Sequence, residues 1–184
     1  MNRVDLSKYS SRPYKPGSIV KRILWYIVSL FFFRTGWPFP NCFKSFMLSV
    51  FGGKIGKHIN IKPGVNIKYP WFLELGDYVW LGEGVWIDNL GPVKIGNNVC
   101  ISQEAYVFTG NHNYKSESFK LIIRGIDIED GVWVWARAVI CPGVRLQSHA
   151  VIAAGSVMNR DAQPFSIYQG NPAQIIKDRL VDEQ

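Results

Sequence analysis

Residues 55–107 read IGKHINIKPGVNIKYPWFLELGDYVWLGEGVWIDNLGPVKIGNNVCISQEAYV, and they count in sixes. An aliphatic residue stands at Ile55, Ile61 and Ile67, then after a shift of two at Leu75, Leu81 and Ile87, and after a second such shift at Ile95, Ile101 and Val107. Past a longer interruption the phase returns as Ile128, Val134, Ile140, Leu146, Ile152 and Met158. Four residues after most of these guide positions comes a second small or aliphatic residue, as in Ile59, Val65, Val79, Val85, Val99 and Ala105. A six-residue repeat of this kind predicts a stacked solenoid of parallel strands. Three units make one triangular coil, whose guide residues and their partners four along point into a thin aliphatic core. The two-residue additions fall at corners, where an extra loop leaves the stack intact. About five coils are expected, beginning at residues 55, 75, 95, 128 and 146. An ordinary β-sandwich alternates in twos and has no reason to hold a phase of six.

Working outward, residues 1–54 form a basic, aromatic extension, 55–163 the repeat domain with an inserted loop at 108–127, and 164–184 a C-terminal tail. The 184-residue chain is 47% hydrophobic with net charge +7, enough for one domain with attachments. Its charge is uneven: up to Lys57 the chain carries ten Lys or Arg against the single acid Asp5. A pI near 9.4 invites a nucleic-acid reading, but the basic residues are confined to the N-terminus and no recognition motif accompanies them. Cys42, Cys100 and Cys141 lack CxxC spacing, so a reducing, cytoplasmic setting is expected, without a disulfide framework or cysteine zinc site.

The apolar run Ile23–Phe33 is too short to span a bilayer and lacks a signal-peptide cleavage site. Apolar spacing predicts two short helices instead, one through Ile19, Ile23, Ile27 and Phe31, the other through Phe43, Met47 and Val50, parted by Trp37-Pro38-Phe39-Pro40. Such helices would cap the open end of the solenoid. The same segment, with Trp25, Tyr26, Phe31 to Phe33 and the flanking Lys21, Arg22 and Arg34, also suits peripheral contact with an anionic membrane surface.

The third coil loses its phase after Val107, and His112 lies at the root of the inserted loop. Loops on a rigid scaffold are where chemistry concentrates. Thr109-Gly110-Asn111-His112, Asp130-Gly131-Val132-Trp133-Val134, Cys141-Pro142-Gly143-Val144, Ile152-Ala153-Ala154-Gly155-Ser156-Val157 and Gly170-Asn171-Pro172-Ala173 follow one another in order. With this series the chain resembles the left-handed β-helix acetyltransferases of the maltose, galactoside and nodulation-factor type. The N-terminus, Trp86-Ile87-Asp88-Asn89-Leu90 and Cys100-Ile101-Ser102-Gln103 resemble most the colanic-acid-biosynthesis type.

The resemblance implies an all-β solenoid, a left-handed parallel β-helix, that works as a homotrimer with sites between subunits and moves an acetyl group from acetyl-CoA to a sugar hydroxyl. His112 is then the expected general base, since a sugar hydroxyl is a poor nucleophile at neutral pH. Its second ring nitrogen needs a fixing partner, for which Glu83, Asp88 and Asn89 are the candidates. Where such enzymes typically carry an Asn that holds the acceptor or oxyanion, this chain has Glu83. An ionised carboxylate cannot donate a hydrogen bond, so backbone amides are expected to form the oxyanion hole. Asn111 and Tyr114 join Glu83 and Asn89 as expected acceptor contacts. By the same resemblance Trp133, Ala136, Ala154 and Gly155 line the acetyl-CoA path, with Asn159, Arg160, Lys177 and Arg179 near its phosphates. A C-terminal helix is expected from Gln174 to about Leu180. Cys141 has no histidine partner and is not expected to form an acetyl-cysteine.

Two other functional classes fit the solenoid less well. A γ-type carbonic anhydrase needs three histidines on one zinc, yet His58 and His149 stand four coils apart, roughly 19 Å at about 4.8 Å per strand spacing. No metal is therefore expected. A non-catalytic scaffold or glycan-binding solenoid at the membrane surface would have the fold without turnover, and acetyl-CoA binding separates it from an enzyme.

Overall fold

The structure, a computed structural model, describes residues 3–181. Its body is a parallel β-helix of five full coils. The first coil holds β1 (Lys54–Ile55), β2 (Asn60–Ile61) and β3 (Asn66–Ile67); the second holds β4 (Leu73–Leu75), β5 (Trp80–Leu81) and β6 (Trp86–Asp88). The third holds β7 (Val93–Ile95), β8 (Cys100–Ile101) and β9 (Tyr106–Phe108). A hairpin of β10 (Gly110–His112) and β11 (Leu121–Ile123) then leaves the stack, so the insertion is narrower than its predicted bounds. The fourth coil is β12 (Ile126–Ile128), β13 (Trp133–Val134) and β14 (Val139–Ile140), the fifth β15 (Arg145–Leu146), β16 (Val151–Ile152) and β17 (Val157–Met158). Strands of equal phase stack into three faces: β1-β4-β7-β12-β15 is the first, β2-β5-β8-β13-β16 lies within the second, and β3-β6-β9-β14-β17 is the third.

The six-residue phase does what its spacing demands. Ile61, Ile67, Leu81, Ile87, Ile101, Val107, Val134, Ile140, Leu146 and Ile152 are all buried, as are their partners Val65, Val79, Val85, Ala105 and Ala138. Burial of a Val, Leu or Ile side chain stabilises by about 1.5–3 kcal/mol, so this single file of side chains is the main source of stability. Corners close on backbone and short polar groups. At the first corner the Lys57 amide donates to Asp77 Oδ1, the Asp77 amide to Asn97 Oδ1 and the Asn97 amide to Asp130 Oδ1, at 2.7, 2.8 and 2.7 Å. Gly76 is needed there because a Cβ would lie 2.6 Å from the carbonyl carbon of Gly96.

The open end is capped by two helices, but not through the faces that the apolar spacing picks out: Ile19, Ile23, Ile27, Phe31 and Val50 are exposed, whereas Trp25 and Phe33, expected at a membrane surface, are buried. Helix α1 (Ile19–Phe32) starts at Ser18, whose side chain accepts the Lys21 amide, and α2 (Asn41–Val50) gives way at Gly52, which has φ +92°. Trp25, Phe33 and Leu48 extend the core. Polar groups finish the first coil: Trp25 Nε1 donates to the Ile67 carbonyl at 2.8 Å, Lys44 Nζ to that of Ile61 at 2.9 Å, and Asn41 Oδ1 accepts the Ile61 amide at 2.9 Å. No described helix is long and apolar enough to cross a membrane.

The far end differs from expectation. The described residues after Gly170-Asn171-Pro172 form no helix; β18 (Ser166–Gly170) adds a sixth rung to the second face, and β19 (Ala173–Asp178) pairs antiparallel with it. An unpaired strand edge at β18 offers a full row of backbone partners, and the β-branched Ile175-Ile176 pair suits a strand.

Candidate active site

The inserted hairpin positions His112. Register pairs Asn111 with Ile122 and His112 with Leu121, and the N-terminal arm braces the tip through the Asp5 amide on the Glu117 carbonyl at 2.8 Å and Lys8 Nζ on Glu117 at 2.6 Å. The imidazole is half-buried, stacked on Phe119 at 4.3 Å and 7°, with the Tyr9 ring at 5.7 Å. Its Nδ1 lies 2.8 Å from the Phe119 carbonyl oxygen. A carbonyl can only accept, so Nδ1 carries the proton, and in the neutral ring Nε2 holds the free lone pair. Nε2 is thus the ring nitrogen left free to accept a hydrogen bond. Phe119 and Tyr9 were missed from the sequence, because neither sits in a motif and only the folded hairpin brings them to the ring.

Among the described residues none of the three candidate partners bonds to that ring; Asp88 and Asn89 are occupied otherwise. Asp88 pairs with Lys68 Nζ at 2.7 Å and accepts from Tyr106 Oη at 3.3 Å. Asn89 is fully buried and bridges two coils, accepting the Tyr69 amide at 3.0 Å and donating to the Tyr69 carbonyl at 2.7 Å. Glu83 is exposed at the corner between the second and third faces. Asn111 is exposed with Oδ1 on the His112 amide at 2.7 Å, and Tyr114 is 74% exposed near the hairpin tip.

A second feature runs along the second face. Trp133 and Trp135, with ring centroids 4.6 Å apart, join Val151, Ala154, Ile176 and Lys177 around a groove of about 460 Å³. Trp133 Nε1 donates to Ser102 Oγ at 3.0 Å, which fixes the indole. Ala136, Ala154 and Gly155 stand together at the neighbouring corner, around a hollow of about 510 Å³. Among the described residues the Ala136 and Ala154 amides donate to no protein acceptor, and their methyl side chains leave them open. The corner therefore offers free backbone donors beside an apolar, tryptophan-lined groove with a lysine at one end, a donor set that fits an amide-bearing, anionic chain.

Two basic expectations land elsewhere. Asn159 and Arg160 follow β17, at the corner between the third and first faces, and line neither hollow. Arg179 borders the groove, but its guanidinium donates to the Gly131 and His149 carbonyls at 2.8 and 3.1 Å. It is committed to closing the stack. Burial pushes the Cys141 thiol up, which leaves it a poor nucleophile.

Comparison with known proteins gives this arrangement a context. Residues 125–160 match the bacterial transferase hexapeptide family model (six repeats). The chain is 34% identical over 180 residues to the putative colanic acid biosynthesis acetyltransferase WcaF of Escherichia coli (strain K12), covering 97% of this chain and 99% of the relative. It is 27% identical over 127 residues to the galactoside O-acetyltransferase of the same organism, covering 67% of this chain and 63% of that relative. Among solved structures, a hexapeptide-repeat acetyltransferase from Vibrio cholerae O1 biovar eltor in complex with acetyl coenzyme A superposes with TM-score 0.82 at 22% identity, over 95% of this chain and 97% of that one. A maltose O-acetyltransferase from Clostridium difficile 630 superposes with TM-score 0.80 at 22% identity, over 89% and 88%.

Proposed function

Because the chain belongs to the hexapeptide-repeat acetyltransferases, related along nearly its whole length to a colanic acid biosynthesis enzyme, we propose that it moves an acetyl group from acetyl-CoA to a sugar hydroxyl in surface-polysaccharide synthesis. The observation that carries this reading is the Phe119 carbonyl on His112 Nδ1, which directs the free lone pair to Nε2. The acceptor O–H gives its proton to Nε2 as its oxygen attacks the thioester carbonyl. The tetrahedral intermediate collapses, the carbon–sulfur bond breaks, and the proton passes from the imidazolium to the departing CoA sulfur. Transfer is direct, within a ternary complex. Positioned acid–base help of this kind contributes about 10²–10⁴-fold.

Trp133, Ala136, Ala154 and Gly155 hold the donor in this reading, with the free corner amides binding pantetheine or the oxyanion. Lys177 meets a phosphate; Asn159 and Arg160 reach the donor only if a second copy brings its own groove to them. The active unit is a homotrimer, and the outward Trp80, Trp86, Trp133 and Trp135 supply surface for its contacts and grooves. In an assembly of that kind Glu83, Asp88, Asn111 and Tyr114 face the acceptor from adjacent chains, while Asn89 keeps its place between coils. The enzyme works in the cytoplasm, with the exposed Ile23, Leu24, Ile27 and Phe31 of α1 resting on an anionic membrane surface. Calorimetric titration with acetyl-CoA, with free CoA as comparison, tests the proposal. Saturation near one per chain is expected. No binding would favour a solenoid scaffold instead.

A further inference from the structure

A crevice of about 310 Å³ opens where α1 lies against the third face, and its walls include Arg22 and Tyr26 of α1, Arg34 just beyond it, and Lys68, Trp86 and Asp88 of the solenoid. Three cations meet one acid there. Lys68 already holds Asp88 at 2.7 Å, and among the described residues neither Arg22 nor Arg34 has an acid within ion-pair distance. Local sequence explains the surplus, since between Leu6 and Leu73 the chain has eleven Lys or Arg and no Asp or Glu. Among the described residues Arg22 Nε is buried without a hydrogen-bond partner, and so is Asp88 Oδ1 in the same crevice, although Lys68 Nζ stands 2.7 Å from it. A buried donor without an acceptor is costly, more so in a charged group, and an acceptor arriving from outside would satisfy it.

The walls narrow the chemistry of that acceptor. Two unpaired guanidiniums match the two negative charges of a phosphate ester, whose oxygens they can bind in pairs. Trp86 is 44% exposed and Tyr26 58% exposed, while Tyr106 supports Trp86 from behind at 4.8 Å. Such rings offer an apolar wall to the C–H face of a sugar. The crevice is also tied to the base: the Asp88 carbonyl accepts the Thr109 amide at 3.2 Å, at the root of the hairpin that presents His112. We propose that this crevice binds the phosphate of a phosphorylated sugar, so that the acceptor is recognised by its anionic end. The proposal rests on the sugar-acceptor reading above and adds the class of acceptor.

The test uses the full chain and a panel of hexose 1-phosphates, with the free hexoses and inorganic phosphate as comparisons, in calorimetry. At least one hexose 1-phosphate should bind about tenfold more tightly than either comparison. Arg34→Gln and Arg22→Gln should each weaken it about tenfold, with circular dichroism and acetyl-CoA affinity unchanged. Arg34 is exposed, so its variant stays informative if Arg22→Gln fails to fold. Equal binding of sugar and sugar phosphate, or affinity untouched by Arg34→Gln, overturns the proposal. Binding to phosphatidylglycerol vesicles that needs both arginines, with no hexose phosphate bound, also overturns it and reassigns the crevice to a lipid headgroup. Arginine-dependent hexose phosphate binding without acetyl-CoA binding would sink the transferase reading and leave this site standing.

Discussion

On the first face the outward residues in register are Lys54, Glu74, Lys94, Asp127 and Arg145, whereas on the second they are Asn60, Trp80, Cys100, Trp133, Val151 and Ile167. The first column alternates in sign from coil to coil, with Lys54 and Glu74 at 2.8 Å, and it belongs in water. The second is aromatic and aliphatic, and it borders the groove. Both faces use short strands, mostly of two or three residues, and bury the same aliphatic core. A solenoid thus separates its tasks by direction: inward positions hold the stack, and outward positions are free to carry charge or a ligand.

Substitutions can break this division, the largest effect first. His112→Ala should lower turnover about 10²–10⁴-fold while leaving acetyl-CoA affinity and the unfolding midpoint in place; unchanged turnover in a folded variant removes His112 from the mechanism. End positions should behave as core. Lys44 is fully buried and its ammonium is held below the usual 10.5 by loss of solvation, so Lys44→Ala, which strands the Ile61 carbonyl, should cost about 2–3 kcal/mol in urea unfolding. The pH dependence has a definite sign. In the interval between the folded value and 10.5 the unfolded chain binds more protons, so wild-type stability should gain from this group as pH rises. Lys44→Met should lose that increment, and an identical slope in both proteins would show that Lys44 does not titrate there.

Smaller effects compare the two faces directly. Trp133→Ala should weaken acetyl-CoA about tenfold, or about 1.4 kcal/mol, in calorimetry. Lys94→Ala, one coil earlier on the charged face, should change stability by less than about 0.5 kcal/mol and donor affinity not at all. Equal losses at the two positions would erase the distinction between the faces.

Most of the architecture was legible because a period of six states which side chains point inward. The coil starts, the outward tryptophans and the presence of two capping helices follow from that phase and from apolar spacing, but the helical faces that pack, those of Trp25, Phe33 and Leu48, do not. The strand β19 was not legible, since the β-branched Ile175-Ile176 pair is short and set among helix formers, and the free edge of β18 decides between the two. At the site, His112 could be picked out by its motif, but its tautomer could not. The oxygen that sets it belongs to a backbone carbonyl, and any residue type has one.

By itself, then, the sequence determined the repeat, its aliphatic core and the chemistry available on each outward column, because direction in a solenoid is a function of residue number. Tertiary structure alone decided which groups meet. It put the Phe119 carbonyl on His112, committed Arg179 to two carbonyls of the stack, and gathered Arg22, Arg34, Lys68 and Trp86 around one crevice. Those encounters depend on how the hairpin, the tail and the cap pack against the coils, and packing between segments far apart in the chain leaves no period to read.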